Sequence, residues 1–176
     1  YSTKSYVAFI DDDDYWSKNY LKENKIIIKN RSPNIIINKI KIRQNNKLIK
    51  SKLLNNKTTL NDLFTQNPGI TGSNVIFKKK VFIKLGGYRQ HFSPSEDKEI
   101  LIRYILKFKN LNEAYINRKN YCILNEYDGV RLSRNVLLLI RAKFILLLFY
   151  LKFFNRMDVL AVLKQILFLL IKSIIK

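Results

Sequence analysis

Four consecutive aspartates follow a short apolar run near the start of the chain. The apolar run covers residues 6–10, and Asp11 to Asp14 come directly after it. Because clustered carboxylates resist ionisation beside one another, a positive charge is expected near them. Hard cations such as Mg²⁺ and Mn²⁺ prefer carboxylate oxygens and often bridge to substrate phosphates. The spacing Asp11-x-Asp13 at a strand end therefore predicts a divalent-cation site, and the alternative is a solvated acidic turn.

Two later segments add residues suited to chemistry. A loop of small residues, Gly69 to Asn74, precedes an apolar run, and its glycines permit a close approach to the backbone. Farther along, Glu96-Asp97 open a predicted helix. Acidic residues in a first helical turn commonly serve only the helix dipole. Following the aspartate cluster and the glycine loop, however, this pair is predicted to belong to the same site.

The elements that position these residues follow from hydrophobic periodicity and from turn residues. The apolar run before the aspartates predicts a short buried strand. Thr59 and Ser95 are predicted helix N-caps, and Gly86-Gly87 is a predicted helix end. We further predict helices over residues 17–25, 59–65, 78–85 and 95–105, strands over 26–28, 35–42 and 114–124 (one or two), and either a strand or a helix start over 48–54.

The composition changes at Arg134, after which Leu, Ile and Phe dominate but charges interrupt every apolar stretch. The longest uninterrupted stretch, residues 144–151, falls far short of the ~20 residues that a spanning helix needs. We predict two basic amphipathic helices that either lie in a membrane interface or pack on each other or on other protein. Their predicted polar faces hold Arg134, Arg141, Lys152 and Asn155 in the first, and Asp158, Gln165, Lys172 and Lys176 in the second.

Composition limits the class of partner. The 176 residues include 33 Lys and Arg against 13 Asp and Glu, a formal net charge of +20. Such a charge attracts nucleic acid, anionic lipid or phosphorylated substrates. The basic residues are scattered rather than grouped in a dense arm, and the acidic cluster would repel nucleic-acid phosphate. A nucleic-acid-binding module is therefore the weaker alternative. The single Cys122 excludes an intrachain disulfide and fits a reducing compartment.

The ordered set of motifs resembles the family 2 glycosyltransferases of the GT-A fold. The matching stretches are YVAFIDDDDYW, NPGITGSNVIFKKKVFIKLGGY and SEDKEILIRY, within about residues 1–109. The resemblance implies an α/β, Rossmann-like nucleotide-diphospho-sugar transferase fold. We expect a partial GT-A domain over residues 1–132 and an amphipathic helical, membrane-associating tail over residues 133–176.

The resemblance also implies roles for the acidic residues. Asp11 and Asp13 correspond to the family's DxD motif, which binds Mn²⁺ or Mg²⁺ bridging the donor diphosphate. Asp97 matches the catalytic base, which takes a proton from the acceptor hydroxyl in a single, inverting displacement. Glu96 is expected to hydrogen-bond the acceptor or to orient its neighbour. Asp12 is expected either to support this site or to be merely exposed, and the same holds for Asp14.

Four further residues are expected near donor or acceptor. Gly72 and Ser73 match the loop beside the donor phosphates in the family, although an ordinary turn is the alternative. Trp16 is either a core residue or a wall of the acceptor site. Arg131 lies in residues 126–133, which resemble a later family segment that often carries a histidine and a basic residue near the diphosphate; the histidine is absent here. It is a candidate phosphate contact, and the plainer alternative is an exposed arginine.

Family members begin with a strand–helix–strand unit that binds the base and ribose, and this chain has no room for it before Tyr6. The resemblance therefore predicts an N-terminally truncated fragment without transferase activity. The implied partners are a nucleotide-sugar donor, a glycan or lipid-linked acceptor, and an anionic membrane surface. The implied place is the cytoplasmic face of the inner membrane, in surface polysaccharide synthesis. A membrane-associated interaction fragment without catalysis is the alternative.

Overall fold

A computed structural model describes residues 3–45, 47–126 and 135–174. In these ranges a mixed sheet of six strands is flanked by helices, in the strand order β1-β5-β3-β6-β2, with β4 pairing the end of β3. The strands are β1 (Tyr6–Ala8), β2 (Tyr15–Trp16), β3 (Ile35–Gln44), β4 (Lys47–Lys52), β5 (Val75–Lys78) and β6 (Ala114–Glu126), and the helices are α1 (Tyr20–Arg31), α2 (Leu60–Thr65), α3 (Lys79–Leu85), α4 (Glu96–Phe108), α5 (Val136–Tyr150) and α6 (Arg156–Ile174).

The centre of the sheet is β3, whose opening run Ile35 to Ile37 is fully buried. It runs antiparallel to β5 and parallel to β6. A continuous apolar run is what a strand covered on both faces requires. The expected strand over residues 35–42 is therefore confirmed, and the expected short strands over 114–124 form one long strand, β6.

The pairing of β1 with β5 places the acidic turn. The two strands are antiparallel, and Ala8 lies opposite Ile76. The residues after Ala8 therefore meet the residues before Val75, which form a 3-10 turn at Gly72–Asn74. Within the described residues β1 is one edge strand of the sheet, and it ends two residues earlier than expected.

The β-branched run at residues 26–28 is helical, and its expected strand is wrong. It belongs to α1, which extends from Tyr20 to Arg31. The helical period explains the difference, because Tyr20, Asn24, Ile27 and Ile28 follow the spacing of one helix face. Tyr20 and Asn24 are buried, and the two isoleucines pack on the cluster formed by Tyr20, Ile36 and Ile76.

Two predicted helix boundaries are confirmed by their capping groups. Thr59 caps α2, since its side chain accepts from the Asp62 N–H while the Asp62 carboxylate accepts from the Thr59 N–H. Gly86 follows α3 at φ +81°, a left-handed conformation that glycine adopts at little cost. Ser95 holds the N-cap position of α4 without a side-chain capping bond. The segment expected as a strand or a helix start over 48–54 is a strand over most of its length, since β4 runs from Lys47 to Lys52.

The tail helices α5 and α6 pack into the main core. Leu146, Leu147, Tyr150 and Val162 are buried in the same apolar cluster as the sheet residues. Apolar side chains also cover the exposed side of α5, so the predicted separation into one apolar and one polar face is not confirmed. In the described residues, neither helix is long and apolar enough to span a bilayer. The expected domain boundary at residues 132–133 lies outside the described ranges.

Candidate active site

The acidic run forms a tight turn at the end of β1. The Asp14 N–H donates to the Asp11 carbonyl at 3.1 Å. Asp11 and Asp12 are exposed, Asp13 is half-buried, and Asp14 is only 8% exposed. The Asn125 amide donates to the Asp13 carbonyl at 2.6 Å, which ties the turn to β6. The carboxylates therefore occupy different environments on one fixed scaffold.

Ser73 joins this turn to the glycine loop. Its hydroxyl accepts from the Asp11 N–H at 3.0 Å. Its carbonyl accepts from the Trp16 indole at 2.7 Å and from the Tyr20 hydroxyl at 3.4 Å. The Trp16 and Tyr20 rings stack with centroids 4.7 Å apart. Trp16 thus supports the Ser73 backbone, and the acidic turn is held against the loop by side-chain bonds.

Three polar groups converge on Gly72. A methyl group at this buried glycine would lie 3.4 Å from Asp97 Oδ1, 3.9 Å from the Tyr88 hydroxyl and 4.0 Å from Asp11 Oδ1. The Gly72 N–H also donates to the Asp97 carboxylate. The absence of a side chain at Gly72 therefore leaves a space that one carboxylate from the acidic turn and one from α4 both face.

The charges in this space perturb one another. Burial, assisted by the negative charges of Glu96, Asp11 and Asp14, raises the pKa of Asp97 to about 7, while the Gly72 N–H acts in the opposite direction. Burial and the same type of negative neighbours raise the pKa of Tyr88. Within the described residues, the Tyr88 hydroxyl and Glu96 Oε2 are buried without a hydrogen-bond partner. The site is thus rich in negative charge and in unsatisfied polar atoms.

The excess negative charge suits a cation that is bound partly by protein carboxylates and partly by water or substrate. Within the described ranges, no three His, Cys, Asp or Glu side chains are arranged to hold a metal ion by themselves. Mg²⁺ commonly takes one or two protein carboxylates and completes its shell with water and substrate phosphates. The acidic turn can supply such a partial set, and the excess negative charge around Asp97 and Tyr88 favours a cation nearby.

Buried asparagines support the loop from below. Asn38 on β3 donates to the Tyr20 hydroxyl at 2.8 Å and to the Asn74 carbonyl at 3.2 Å. Asn117 on β6 donates to the Asn38 side chain at 2.9 Å, and Asn74 donates to the Asn38 carbonyl at 2.6 Å. This network was not predicted from the sequence, because an asparagine inside an apolar run carries no signal of its partners.

The structure brings together several of the predicted site residues. Asp11, Gly72 and Asp97 face one space, Glu96 lies beside them, and Ser73 holds the loop. Asp12 points to solvent and Arg131 lies outside the described ranges. Reasoning from the sequence missed Tyr88, which the Gly-Gly-Tyr stretch contained, and it left buried Asp14 without a firm role.

Comparisons with known proteins identify the family and the fold. A family model described as "Glycosyltransferase like family 2" matches residues 1–155. Among solved structures, the chain is similar to S. aureus TarS 1–349 in complex with UDP-GlcNAc, with 18% identity and a TM-score of 0.51, covering 83% of this chain and 44% of that one. TarS 1–349 alone matches with 15% identity and a TM-score of 0.47, covering 84% and 48%. No curated protein matches.

Proposed function

The chain belongs to the glycosyltransferase-like family 2, and we propose that it provides the catalytic base of an inverting sugar transferase together with the residues that bind the departing nucleoside diphosphate. Its sheet and helices have the α/β arrangement of the GT-A fold. The observation that carries the proposal is the convergence of Asp11 and Asp97 on the space left open at Gly72. One carboxylate comes from the acidic turn and the other from the start of α4.

In the proposed reaction, Asp97 takes the proton of an acceptor hydroxyl. The acceptor oxygen forms a bond to the anomeric carbon while the bond from that carbon to the donor phosphate oxygen breaks. The electron pair of the broken bond leaves with the nucleoside diphosphate, and the configuration at the carbon inverts. The raised pKa of Asp97, about 7, suits a base that works near neutral pH. The Gly72 N–H orients its carboxylate.

Asp11 and Asp13 are the residues that would hold Mn²⁺ or Mg²⁺. When bound, such an ion supplies positive charge for the diphosphate that departs. Two hydrogen bonds fix both residues before any ligand arrives: the Asp11 N–H donates to the Ser73 hydroxyl, and the Asn125 side chain donates to the Asp13 carbonyl.

The donor is proposed to be a nucleotide-sugar. The similar TarS 1–349 structure contains UDP-GlcNAc, and that chain is more than twice as long as the matched region here. We propose that the base and ribose are bound by a preceding strand–helix–strand unit that pairs at the β1 edge. The 176-residue chain alone is then expected to be inactive, and donor-dependent transfer by this purified chain would contradict that expectation.

The acceptor is proposed to be a glycan or a lipid-linked glycan at the cytoplasmic face of the inner membrane, in surface polysaccharide synthesis. The support is the apolar surface of the tail. Leu148, Phe149, Leu167 and Phe168 are each more than half exposed on α5 and α6, beside scattered lysines and arginines. Such surfaces bind anionic lipid interfaces. The same surface favours the second candidate, a membrane-bound interaction module without catalysis.

The test is transfer by the full-length protein with Asp97→Asn. Loss of a positioned base is expected to lower kcat by ~10²–10⁴-fold, while donor affinity stays within a few-fold of wild type. Glu113→Gln, a matched carboxylate-to-amide change next to the far end of β6, is the control and should transfer normally. Equal rates for Asp97→Asn and wild type would exclude Asp97 as the base. No transfer by the wild type with any nucleotide-sugar would favour the interaction module.

A further inference from the structure

A cavity on the other side of Asp97 contains two lysines. It has a volume of about 240 Å³ and lies between the start of α4, the segment after α2, and α5. Its lining includes Asp97, Lys98 and Lys143, but none of the residues of the acidic turn.

Lys98 is an unusual residue for such a position. It is only 6% exposed, and no described residue pairs with it by an ion pair or a hydrogen bond. Burial, together with the charge of Lys143, lowers its pKa to about 7. Lys143 is half-buried and donates to Gln165 Oε1 at 2.5 Å, and burial lowers its pKa also. Asp97 lies in the same lining, but among the described residues neither lysine forms an ion pair with a carboxylate. Two neighbouring ammonium groups that lack a paired anion are costly to bury, and a bound anion lowers that cost.

Asp97 and Lys98 are neighbours on α4, and their side chains point in different directions. Consecutive helical side chains diverge by about 100°, since a turn takes 3.6 residues. Asp97 therefore faces the Gly72 space, while Lys98 points into the lysine-lined part of the cavity. A ligand in this cavity lies next to the base but on the side away from the acidic turn, where the donor diphosphate is proposed to bind.

We propose that this cavity binds a phosphate group of the acceptor, held by Lys98 and Lys143, while a hydroxyl of the same acceptor faces Asp97. The inference rests on the proposed function, and it narrows the acceptor to a phosphate-bearing molecule. The positive charges of two lysines match the double negative charge of a phosphate monoester or diphosphate. A ligand with a single carboxylate would neutralise only one of the two lysines. Lysine binds phosphate as a compact point charge.

The first experiment measures binding without transfer. The 176-residue chain is titrated calorimetrically with glycerol 3-phosphate, and with glycerol as the neutral probe. Lys98→Met and Lys143→Met are each expected to weaken glycerol 3-phosphate binding by about tenfold, one charge-assisted contact in each case. Lys107→Met, an exposed lysine of the same helix, is the matched control and should bind within twofold of wild type. Equal affinity in Lys98→Met and wild type would overturn the proposal.

The second experiment separates this proposal from the proposed function. Full-length protein is assayed with acceptor pairs that differ only in a phosphate, one pair a water-soluble polyol and one a short-chain lipid diphosphate. In Lys98→Met the KM ratio of phosphorylated to neutral acceptor should rise about tenfold, and the pair that responds identifies the source of the phosphate. An unchanged ratio in both pairs would overturn the cavity proposal. Lysine-dependent binding in a protein that transfers no sugar would instead overturn only the transferase proposal.

Discussion

At the scale of single residues, a change at Gly72 is expected to affect catalysis without affecting folding. The space in front of it accepts a methyl group at ordinary contact distances, 3.4 Å or more from every neighbour. Gly72→Ala is therefore expected to fold with the stability of the wild type. The methyl group would, however, fill the space shared by Asp97 and Asp11, so sugar transfer by the full-length protein should fall at least tenfold. Steady-state kinetics and thermal melting check the two halves of this prediction.

Gly86→Ala is the complementary control for that variant. Gly86 has φ +81° and lies at the end of α3, where a side chain strains the backbone. The change should lower the free energy of unfolding by about 1 kcal/mol and leave kcat of the folded protein unaltered. If Gly72→Ala lost stability and activity together, as an unfolding variant does, the space at Gly72 would have no special role in catalysis.

Lys98 makes stability depend on pH in a predictable direction. Its pKa is about 7 in the folded chain against 10.5 for an ordinary lysine, so between these values the unfolded chain holds the extra proton. Wild-type stability should therefore rise with pH through this window. Lys98→Met removes the buried charge, and it should be more stable than wild type at pH 7, by an amount that shrinks towards pH 10. Chemical denaturation at several pH values measures this, and a difference independent of pH would contradict it.

The candidate acidic residues could be named from the sequence, whereas the contacts that support them could not. The spacing of Asp11, Asp13 and Asp97 in ordered motifs sufficed to predict a family and a set of roles, because charged residues at strand and helix ends are visible in the sequence. The contacts of Asn38 and Asn117 were not predictable, because their partners are set by the register of β3 against β6. The same holds for Lys98, whose burial depends on a helix 45 residues away in the chain.

At the scale of elements, a buried ionic group joins α4 to the tail. Glu99 is fully buried and pairs with Arg103 at 2.5 Å, while the Tyr150 hydroxyl of α5 donates to Glu99 Oε1 at 2.6 Å. Arg103 also donates to the carbonyl of Leu85, the last residue of α3, and to that of Gly87 just after it. One arginine and one glutamate thus connect three helices.

Tyr150→Phe tests this connection. It leaves part of a buried carboxylate unsatisfied and should lower the free energy of unfolding by about 1–3 kcal/mol. Tyr121→Phe is the matched control, because the Tyr121 ring lies under the Lys41 ammonium and phenylalanine keeps that contact. Its effect should stay within about 0.5 kcal/mol. Equal, small effects of both changes would mean that Arg103 and Arg89 satisfy the Glu99 carboxylate without the Tyr150 hydroxyl.

Element types were predicted best where local chemistry decides them. The Thr59 capping box and the glycine after α3 set their boundaries within the chain itself. The predicted strand over residues 26–28 was wrong, because three β-branched side chains favour a strand locally. The spacing of apolar and buried residues around them instead matches a helix whose face packs on the sheet. The sequence left open whether residues 114–124 form one strand or two, since polar residues interrupt the alternation there, and the hydrogen-bond network across the sheet that accommodates them is non-local.

At the scale of the whole molecule, the exposed apolar surface of α5 and α6 predicts association with anionic membranes. Leu167→Ser and Phe168→Ser, at positions 57% and 66% exposed, should reduce flotation with vesicles that contain anionic lipid by several-fold. Raised salt should weaken binding of the wild type, since charge contributes to it. Ile83→Ser, an equally exposed change on α3, is the control and should float normally. Unchanged flotation of both tail variants would place the contact elsewhere.

The bonds of Ser73 have a consequence for how the site meets its ligands. Its hydroxyl and its carbonyl accept from Asp11, Trp16 and Tyr20, so the segment from the acidic turn to the start of α1 is ordered against a loop more than 50 residues away in the chain. The entropy of fixing the acidic turn is therefore lost during folding and not again at each encounter with a donor. Because the turn is ordered by folding, a change that weakens these bonds should lower both the stability of the fold and the affinity for the donor.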